Sequence, residues 1–167
     1  GPLPAMPKEP AVSQTEPLRV GVAAADITPP LGIPMGGYWG RPSGAAGVHD
    51  SLWARALSWR QGQARAALVS LDVVALDASA VAGIRQQAAA RAGVPAEALM
   101  VCCTHTHAGP LTFPYRGMGP VDPAYLRRLQ NAAVEAVAQA VAGEAPARLA
   151  YARVPVQIGV NRRERRD

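Results

Sequence analysis

The amino-acid sequence predicts an α/β protein with a mixed sheet, at least one parallel β-α-β unit and flanking helices. Residues 66–104 read as strand, helix and strand with short connections, the pattern of a parallel unit with a right-handed crossover. Two extended runs joined by a turn lead into this unit, and a longer helical pattern follows it. The 167 residues suffice for one domain or for part of a larger protein.

Extended runs account for the predicted sheet. The first strand is predicted at 18–28, and residues 51–59 and 64–74, joined at "QGQ", predict a hairpin that ends in a buried strand. The run "ALMVCCT" at 98–104 predicts the strand after the crossover, and a last extended run covers 147–160.

Two segments have helical periodicity. Asp77 is placed to cap the first helix, which Gly93 and then Pro95 would end. The second helix is predicted to begin at Asp122 and to stop at Gly143. The faces predicted to be apolar are Val81, Ile84 and Ala88 in the first helix, and Leu126, Leu129, Ala133, Val137 and Val141 in the second.

Two segments rich in proline or glycine are predicted to lack regular structure. Residues 1–17 hold five prolines and read as a flexible leader, whose lack of a signal-like apolar segment favours the cytoplasm unless a signal has been removed. Residues 28–47 form a long shaped loop. Its Met35, Tyr38 and Trp39 either line a pocket or cap the core.

Composition and charge exclude several classes of function. The formal charge of +5 comes with no nucleic-acid-binding motif, so we expect no nucleic-acid partner; the basic run at 161–167 reads as solvated. No stretch of about 18 apolar residues exists, so we expect no membrane span. Cys102 and Cys103 are adjacent in a predicted strand, where their side chains point to opposite faces, so no disulfide joins them.

The segment "THTHAGP" at 104–110 is the strongest candidate for a functional site. It follows the second strand of the predicted parallel unit, where ligands collect in open α/β sheets. If the chain stays extended, His105 and His107 project to one face with Cα atoms roughly 6–7 Å apart. Both imidazoles could then bind one metal ion, for which zinc is suited, or one could bind the metal while its neighbour holds a water or substrate. The alternative is that both are polar residues that end a strand. A cysteine nucleophile paired with His105 is a poorer interpretation, because such pairs usually come from distant segments.

Five segments stand out when the sequence is taken as a whole: "VGVAAADITPPLGIPMGGY", "GVHDSLWARAL", "ALVSLDVVAL", "VCCTHTHAGP" and "IGVNRRE". Together they resemble the amino-terminal domain of the neutral/alkaline, non-lysosomal ceramidase family, from about Val20 to Glu164. The most specific part is "THTHAGP", in which Ala108 replaces a serine of the family motif.

The resemblance implies a zinc-dependent amidase that cleaves the N-acyl bond of ceramide, or of a related N-acyl lipid, to a fatty acid and a sphingoid base. Residues 18–167 would be the amino-terminal part of its α/β catalytic domain. His105 would be a zinc ligand, and His107 would lie beside the metal as a catalytic residue that orients water or substrate. Asn161 and Arg162 would bind the polar head of the substrate, although the following Arg163-Glu164 departs from the family pattern.

The resemblance also implies that the metal site needs more than this chain supplies. The remaining zinc ligands of the family, a histidine, a glutamate and a tyrosine, are expected from a downstream segment or from another chain. The alternative is a binding or interaction module derived from this family, without catalysis. His49 is expected to have a structural, hydrogen-bonding role, and Asp72 is either a partner for a histidine or a cap for the following turn.

Overall fold

The computed structural model describes residues 16–41, 44–160 and 163. These residues contain two helices, a short 3-10 turn at Ala96–Ala98 and one sheet. In chain order the elements are β1 (Arg19–Asp26), β2 (Trp53–Gln61), β3 (Ala64–Leu71), α1 (Ala78–Ala92), β4 (Leu99–Cys103), α2 (Pro123–Ala142) and β5 (Ala145–Pro146).

The sheet is mixed, as the sequence predicts, with the strand order β4-β3-β2-β1-β5. The β3 and β4 strands run parallel and are joined through α1, whereas every other neighbouring pair is antiparallel. The hairpin turn falls at Gly62, whose φ of 56° lies in the left-handed region that glycine adopts at no steric cost. The predicted fold class is therefore confirmed.

Both helices begin and end at the predicted residues. Asp77 accepts a hydrogen bond from the backbone of Ala80, and Gly93 ends α1 in a left-handed conformation. Asp122 caps α2, and Gly143 ends it. The buried faces are turned slightly from the predicted ones and comprise Ala80, Ile84 and Ala88 in α1, and Tyr125, Leu129, Ala133, Val134, Ala136, Val137 and Ala140 in α2.

The α2 helix packs closely against one face of the sheet because small residues line the contact. A Cβ atom on Gly21 of β1 would lie 1.7 Å from the carbonyl oxygen of Ala140, so only glycine permits this approach. Ala54, Ala56 and Val69 belong to the same buried core. On the opposite face, the side chains of Val22 and Met100 are 72% and 59% exposed, so this face is largely open to solvent.

The last predicted strand, at 147–160, is absent, although the structure describes all of these residues. The short strand Ala145–Pro146 pairs with β1 just before this run, and Ala147 adds one backbone hydrogen bond to Leu18. Residues 148–160 have no regular structure and are exposed. Alternating apolar residues favour a strand, but without a neighbouring strand to pair with they do not form one.

Some expectations concern parts of the chain that the structure does not describe. Residues 1–15 of the predicted leader, together with Asn161 and Arg162, lie outside the described residues. Neither helix is long and apolar enough to cross a bilayer, nor is any other helix in the described part of the chain.

Candidate active site at the carboxyl edge of β3 and β4

The two parallel strands continue side by side past the end of the sheet. Beyond Cys103, the backbone N–H of Thr104 donates to the carbonyl of Leu71 at 2.9 Å, and that of His105 donates to Val73 at 3.1 Å. Thr104 and His105 are therefore held against the end of β3 and the segment that follows it. This is the position at which ligands collect in open α/β sheets.

The chain does not stay extended through the histidine pair, so the geometry of an extended His-x-His segment does not apply here. His105 has a φ of 61° and is the one non-glycine residue in the left-handed region among the described residues. That conformation costs roughly 1 kcal/mol or more, and it is held by hydrogen bonds from both the backbone and the ring of His105. A strained backbone of this kind often marks a functional site.

The ring of His105 has a defined tautomer. Its Nδ1 lies 2.8 Å from the carbonyl oxygen of Val74. A carbonyl only accepts hydrogen bonds, so Nδ1 carries the proton and the neutral ring leaves the lone pair of Nε2 available. A histidine that ligates zinc usually has this arrangement, with one ring nitrogen on the metal and the other donating to a backbone carbonyl.

His107 lies next to His105 even though the backbone between them is not extended. The two ring centroids are 5.1 Å apart at an interplanar angle of 62°. Tyr38 packs edge-on against the other side of His107, with the centroids 4.9 Å apart. The two imidazoles and the phenol ring thus form one continuous cluster.

The glycine- and proline-rich loop holds this cluster in place. Gly36 donates a backbone hydrogen bond to Gly109 at 3.0 Å, and Leu111 donates to Pro34 at 2.7 Å. At Gly37, with a φ of 97°, a Cβ atom would lie 2.5 Å from Cγ of His107. The loop backbone therefore touches the imidazole directly.

Arg41 also contacts His107, a contact that the sequence does not predict. Its guanidinium donates to the carbonyl oxygen of His107 at 2.6 Å and lies 5.1 Å from the ring centroid of Tyr38. Arg41 follows the loop glycines, 66 positions before His107. No short motif spans that separation.

The loop residues Met35, Tyr38 and Trp39, which the sequence predicts either to line a pocket or to cap the core, lie in different surroundings. Tyr38 lies at the histidine pair. Met35 lines a groove of about 470 Å³ beside the pair, together with Thr106 and Ala108. Trp39 is exposed and donates its indole N–H to the carbonyl oxygen of Arg116.

Neither His49 nor Asp72 supports the histidine pair through a hydrogen bond. His49 is exposed at the rim of the groove, where its Nδ1 lies 2.7 Å from the carboxylate of Asp50. Asp72 accepts hydrogen bonds from the backbone of Trp53 at 3.0 Å and from the side chain of Arg55 at 2.8 Å. Asp72 therefore links the segment after β3 to β2. This role differs from both alternatives that the sequence left open, a partner for a histidine and a cap for the following turn.

The cysteines before the motif are both free thiols. Burial raises the pKa of the Cys103 thiol, and the neighbouring Cys102 adds to this effect. A thiol with a raised pKa is protonated at neutral pH and is a poor nucleophile. Cys103 is therefore a poor candidate for a nucleophile.

The described residues supply two neighbouring imidazoles but no complete metal site. Within the described ranges, no three side chains among histidine, cysteine, aspartate and glutamate are grouped so that they could hold a metal ion. The free Nε2 of His105 fits a single zinc ligand, and a catalytic zinc site needs three protein ligands and an open position.

Fold and site together define an α/β domain that presents its reactive groups beyond the carboxyl ends of parallel strands. Residues 18–164 match the family described as neutral/alkaline non-lysosomal ceramidase, N-terminal. The chain therefore belongs to this family.

Solved structures agree with the family match. The fold is similar to neutral ceramidase from Pseudomonas aeruginosa, with a TM-score of 0.70 and 25% identity over 80% of this chain and 23% of that one. It is also similar to a ceramidase complexed with C2, with a TM-score of 0.70 and 26% identity over 78% of this chain and 22% of that one. The chain thus spans less than a quarter of the length of these ceramidases. None of the curated proteins matches at a significant level.

Proposed function

We propose that the protein is part of a zinc-dependent amidohydrolase that cleaves the N-acyl amide bond of ceramide, or of a related N-acyl lipid, to a fatty acid and a sphingoid base. The observation that carries the proposal is the ring of His105, whose Nδ1–H is fixed on Val74 so that Nε2 is free beside His107. Membership of the ceramidase family supports the choice of substrate class.

In this proposal His105 holds zinc through Nε2. The remaining ligands come from a downstream segment of a longer polypeptide or from another chain, because the described residues do not supply them. Bound zinc would polarise the amide carbonyl and activate water.

His107 positions water or the substrate amide in this mechanism. Its ring lies between His105 and Tyr38, and Arg41 holds its carbonyl. An imidazole ring can donate a proton at one nitrogen and accept one at the other, as the attack of water on an amide requires. Asn161 and Arg162 would bind the polar head of the substrate.

The first test is zinc binding by a polypeptide that contains this domain together with the remaining ligands, because binding does not depend on turnover. We expect equilibrium dialysis followed by metal analysis to show that His105→Ala lowers zinc affinity by about tenfold or more, the scale of losing one ligand or its support. His49→Ala is the matched control, since it removes another imidazole whose one hydrogen-bond partner among the described residues is Asp50. Equal zinc affinity in the His105→Ala variant and the unmodified protein would contradict the assignment.

The second test is amide hydrolysis by a polypeptide that contains this domain together with the remaining ligands. Release of fatty acid from N-acylsphingosine, followed by mass spectrometry, should fall by about a hundredfold or more in His107→Ala, in line with the loss of a positioned acid or base. Zinc content should be largely retained in that variant. Zinc binding with no release of fatty acid by the unmodified polypeptide would favour the non-catalytic module instead.

A further inference from the structure

Three arginines line up across the end of the sheet opposite the histidine pair. Arg19 begins β1, and in the register of the sheet it lies directly opposite Arg60 of β2, which in turn lies opposite Arg65 of β3. Strand alternation places all three on the face that α2 covers. Like charges directly opposite each other destabilise a sheet, so this row needs compensation from its surroundings.

One carboxylate compensates part of the row. The side chain of Glu144, only 5% exposed, accepts from Nε of Arg60 at 3.1 Å and from Nη2 of Arg65 at 3.2 Å. Arg19 donates to the backbone carbonyl of Glu144 at 2.6 Å rather than to its carboxylate. Three guanidinium groups against one carboxylate leave two positive charges at the cluster.

The carboxyl ends of both helices explain some of these contacts but not all of them. Arg65 donates to the carbonyl oxygen of Ala92 at 3.4 Å, where α1 ends, and Arg19 bonds just beyond the end of α2. Nη1 and Nη2 of Arg60 still make no hydrogen bond within the described residues, and neither do Nε and Nη1 of Arg19. More donors are present than the helix ends and Glu144 use.

These donors border an open cavity of about 550 Å³. Its walls combine the arginine row and Glu144 with the hairpin turn at Gly62 and Gln63 and with the ends of both helices. The side chains of Arg60 and Arg65 are 33% and 24% exposed, so they are partly desolvated yet still reachable. We refer to Arg19, Arg60, Arg65, Glu144 and this cavity as the arginine pocket.

We propose that the arginine pocket binds a phosphate group. A phosphate monoester carries about −1.5 to −2 charge at pH 7, which matches the two uncompensated positive charges. The planar guanidinium of Arg60 can contact two phosphate oxygens at once through Nη1 and Nη2. The phosphate can belong to a free ion or to a lipid headgroup, and the same donors serve both.

The first test measures binding of inorganic phosphate by isothermal titration calorimetry at constant ionic strength. We expect Arg60→Gln to weaken binding by about tenfold, since one bidentate charge-assisted contact is lost. Arg60→Lys keeps the positive charge but lacks the planar pair of donors. Its phosphate affinity should therefore fall between those of the unmodified protein and Arg60→Gln. Arg153→Gln, at an exposed arginine, changes the net charge equally and should leave binding unchanged.

The second test distinguishes the source of the phosphate by sedimentation with phosphatidylcholine vesicles that contain or lack phosphatidic acid. Binding of inorganic phosphate that depends on Arg60 supports a free ligand. Binding only to phosphatidic acid vesicles, again lost in Arg60→Gln but not in Arg153→Gln, supports a lipid headgroup. The proposal is overturned if the unmodified protein binds neither probe, or if both Arg60 variants bind as tightly as the unmodified protein. The proposal is also overturned if Arg60→Gln and Arg153→Gln weaken binding by the same factor.

Discussion

At the scale of single residues, Gly37 decides how closely the loop approaches His107. Gly37→Ala would place a Cβ atom 2.5 Å from Cγ of the imidazole, on a backbone with a φ of 97°. We expect the variant to displace His107 and to lose roughly 1–3 kcal/mol of unfolding free energy. Urea unfolding measures the stability, and the edge-on contact between Tyr38 and His107 can be followed by NMR of the ring protons.

The control for this prediction is Gly40→Ala. Gly40 also has a positive φ, of 75°, but a Cβ atom there would meet nothing within 4 Å. It therefore reproduces the backbone strain without the clash. If both variants shift the His107 ring resonances equally, the close approach at Gly37 does not position the imidazole.

The residue-scale part of the site was only partly predictable. The position of "THTHAGP" at the end of a predicted strand identified both histidines, because the edge of a sheet follows from the strand pattern. The left-handed backbone of His105 could not be anticipated, since local sequence only weakly favours it for histidine. Arg41 reaches His107 through the tertiary course of the loop, which no local pattern encodes.

At the scale of elements, the cap of α1 gives the protein a defined dependence on pH. The backbone N–H of Ala80 and then the hydroxyl of Ser79 hold the pKa of Asp77 below its ordinary value of 3.8. A carboxylate with a depressed pKa stabilises the fold above its unfolded pKa, and this contribution is lost as the pH falls through the folded pKa. The helix therefore loses cap stability below about pH 3.8.

The matched variants are Asp77→Asn and Asp77→Ala. Asparagine caps nearly as well as aspartate but does not titrate, whereas alanine lacks the acceptor and should cost about 1 kcal/mol at neutral pH. We expect the stability advantage of the unmodified protein over Asp77→Asn to shrink as the pH falls below 3.8. Urea unfolding across this range provides the measurement, and an advantage that stays constant with pH would show that the Asp77 cap does not titrate with folding.

The elements that the sequence predicted correctly are those whose signals are local. Asp77 and Gly93 mark the ends of α1, and Asp122 and Gly143 mark those of α2, because capping depends on a few neighbouring backbone groups. The run at 147–160 has the alternation of a strand, but strand formation depends on a partner elsewhere in the fold. The alternation within this run therefore could not show whether it would form a strand.

At the scale of the whole molecule, the sheet separates two polar sites by its own length. The histidine pair lies beyond the carboxyl end of β3, and the arginine pocket lies at the other end, where Arg65 is the second residue of that strand. Eight residues of strand span roughly 25 Å. Substitutions in one site are far enough from the other for their effects on stability to add.

The exposed segment after β5 should contribute little to the stability of this fold. Val154, Val156, Ile158 and Val160 are each at least 70% exposed, so their side chains bury little apolar surface. Replacing all four with threonine keeps the β-branched shape and should change the unfolding free energy by less than about 0.5 kcal/mol per site. Urea unfolding of the fourfold variant and of the unmodified protein measures this change.

The same substitution at a buried position is the comparison for this prediction. Val69 lies in the centre of β3 with no exposed surface, so Val69→Thr buries a hydroxyl and should cost about 1–3 kcal/mol. If the fourfold variant lost as much stability per site as Val69→Thr, the segment would have to pack against the rest of the molecule in solution. Unchanged stability would agree with the exposure of these side chains in the folded molecule.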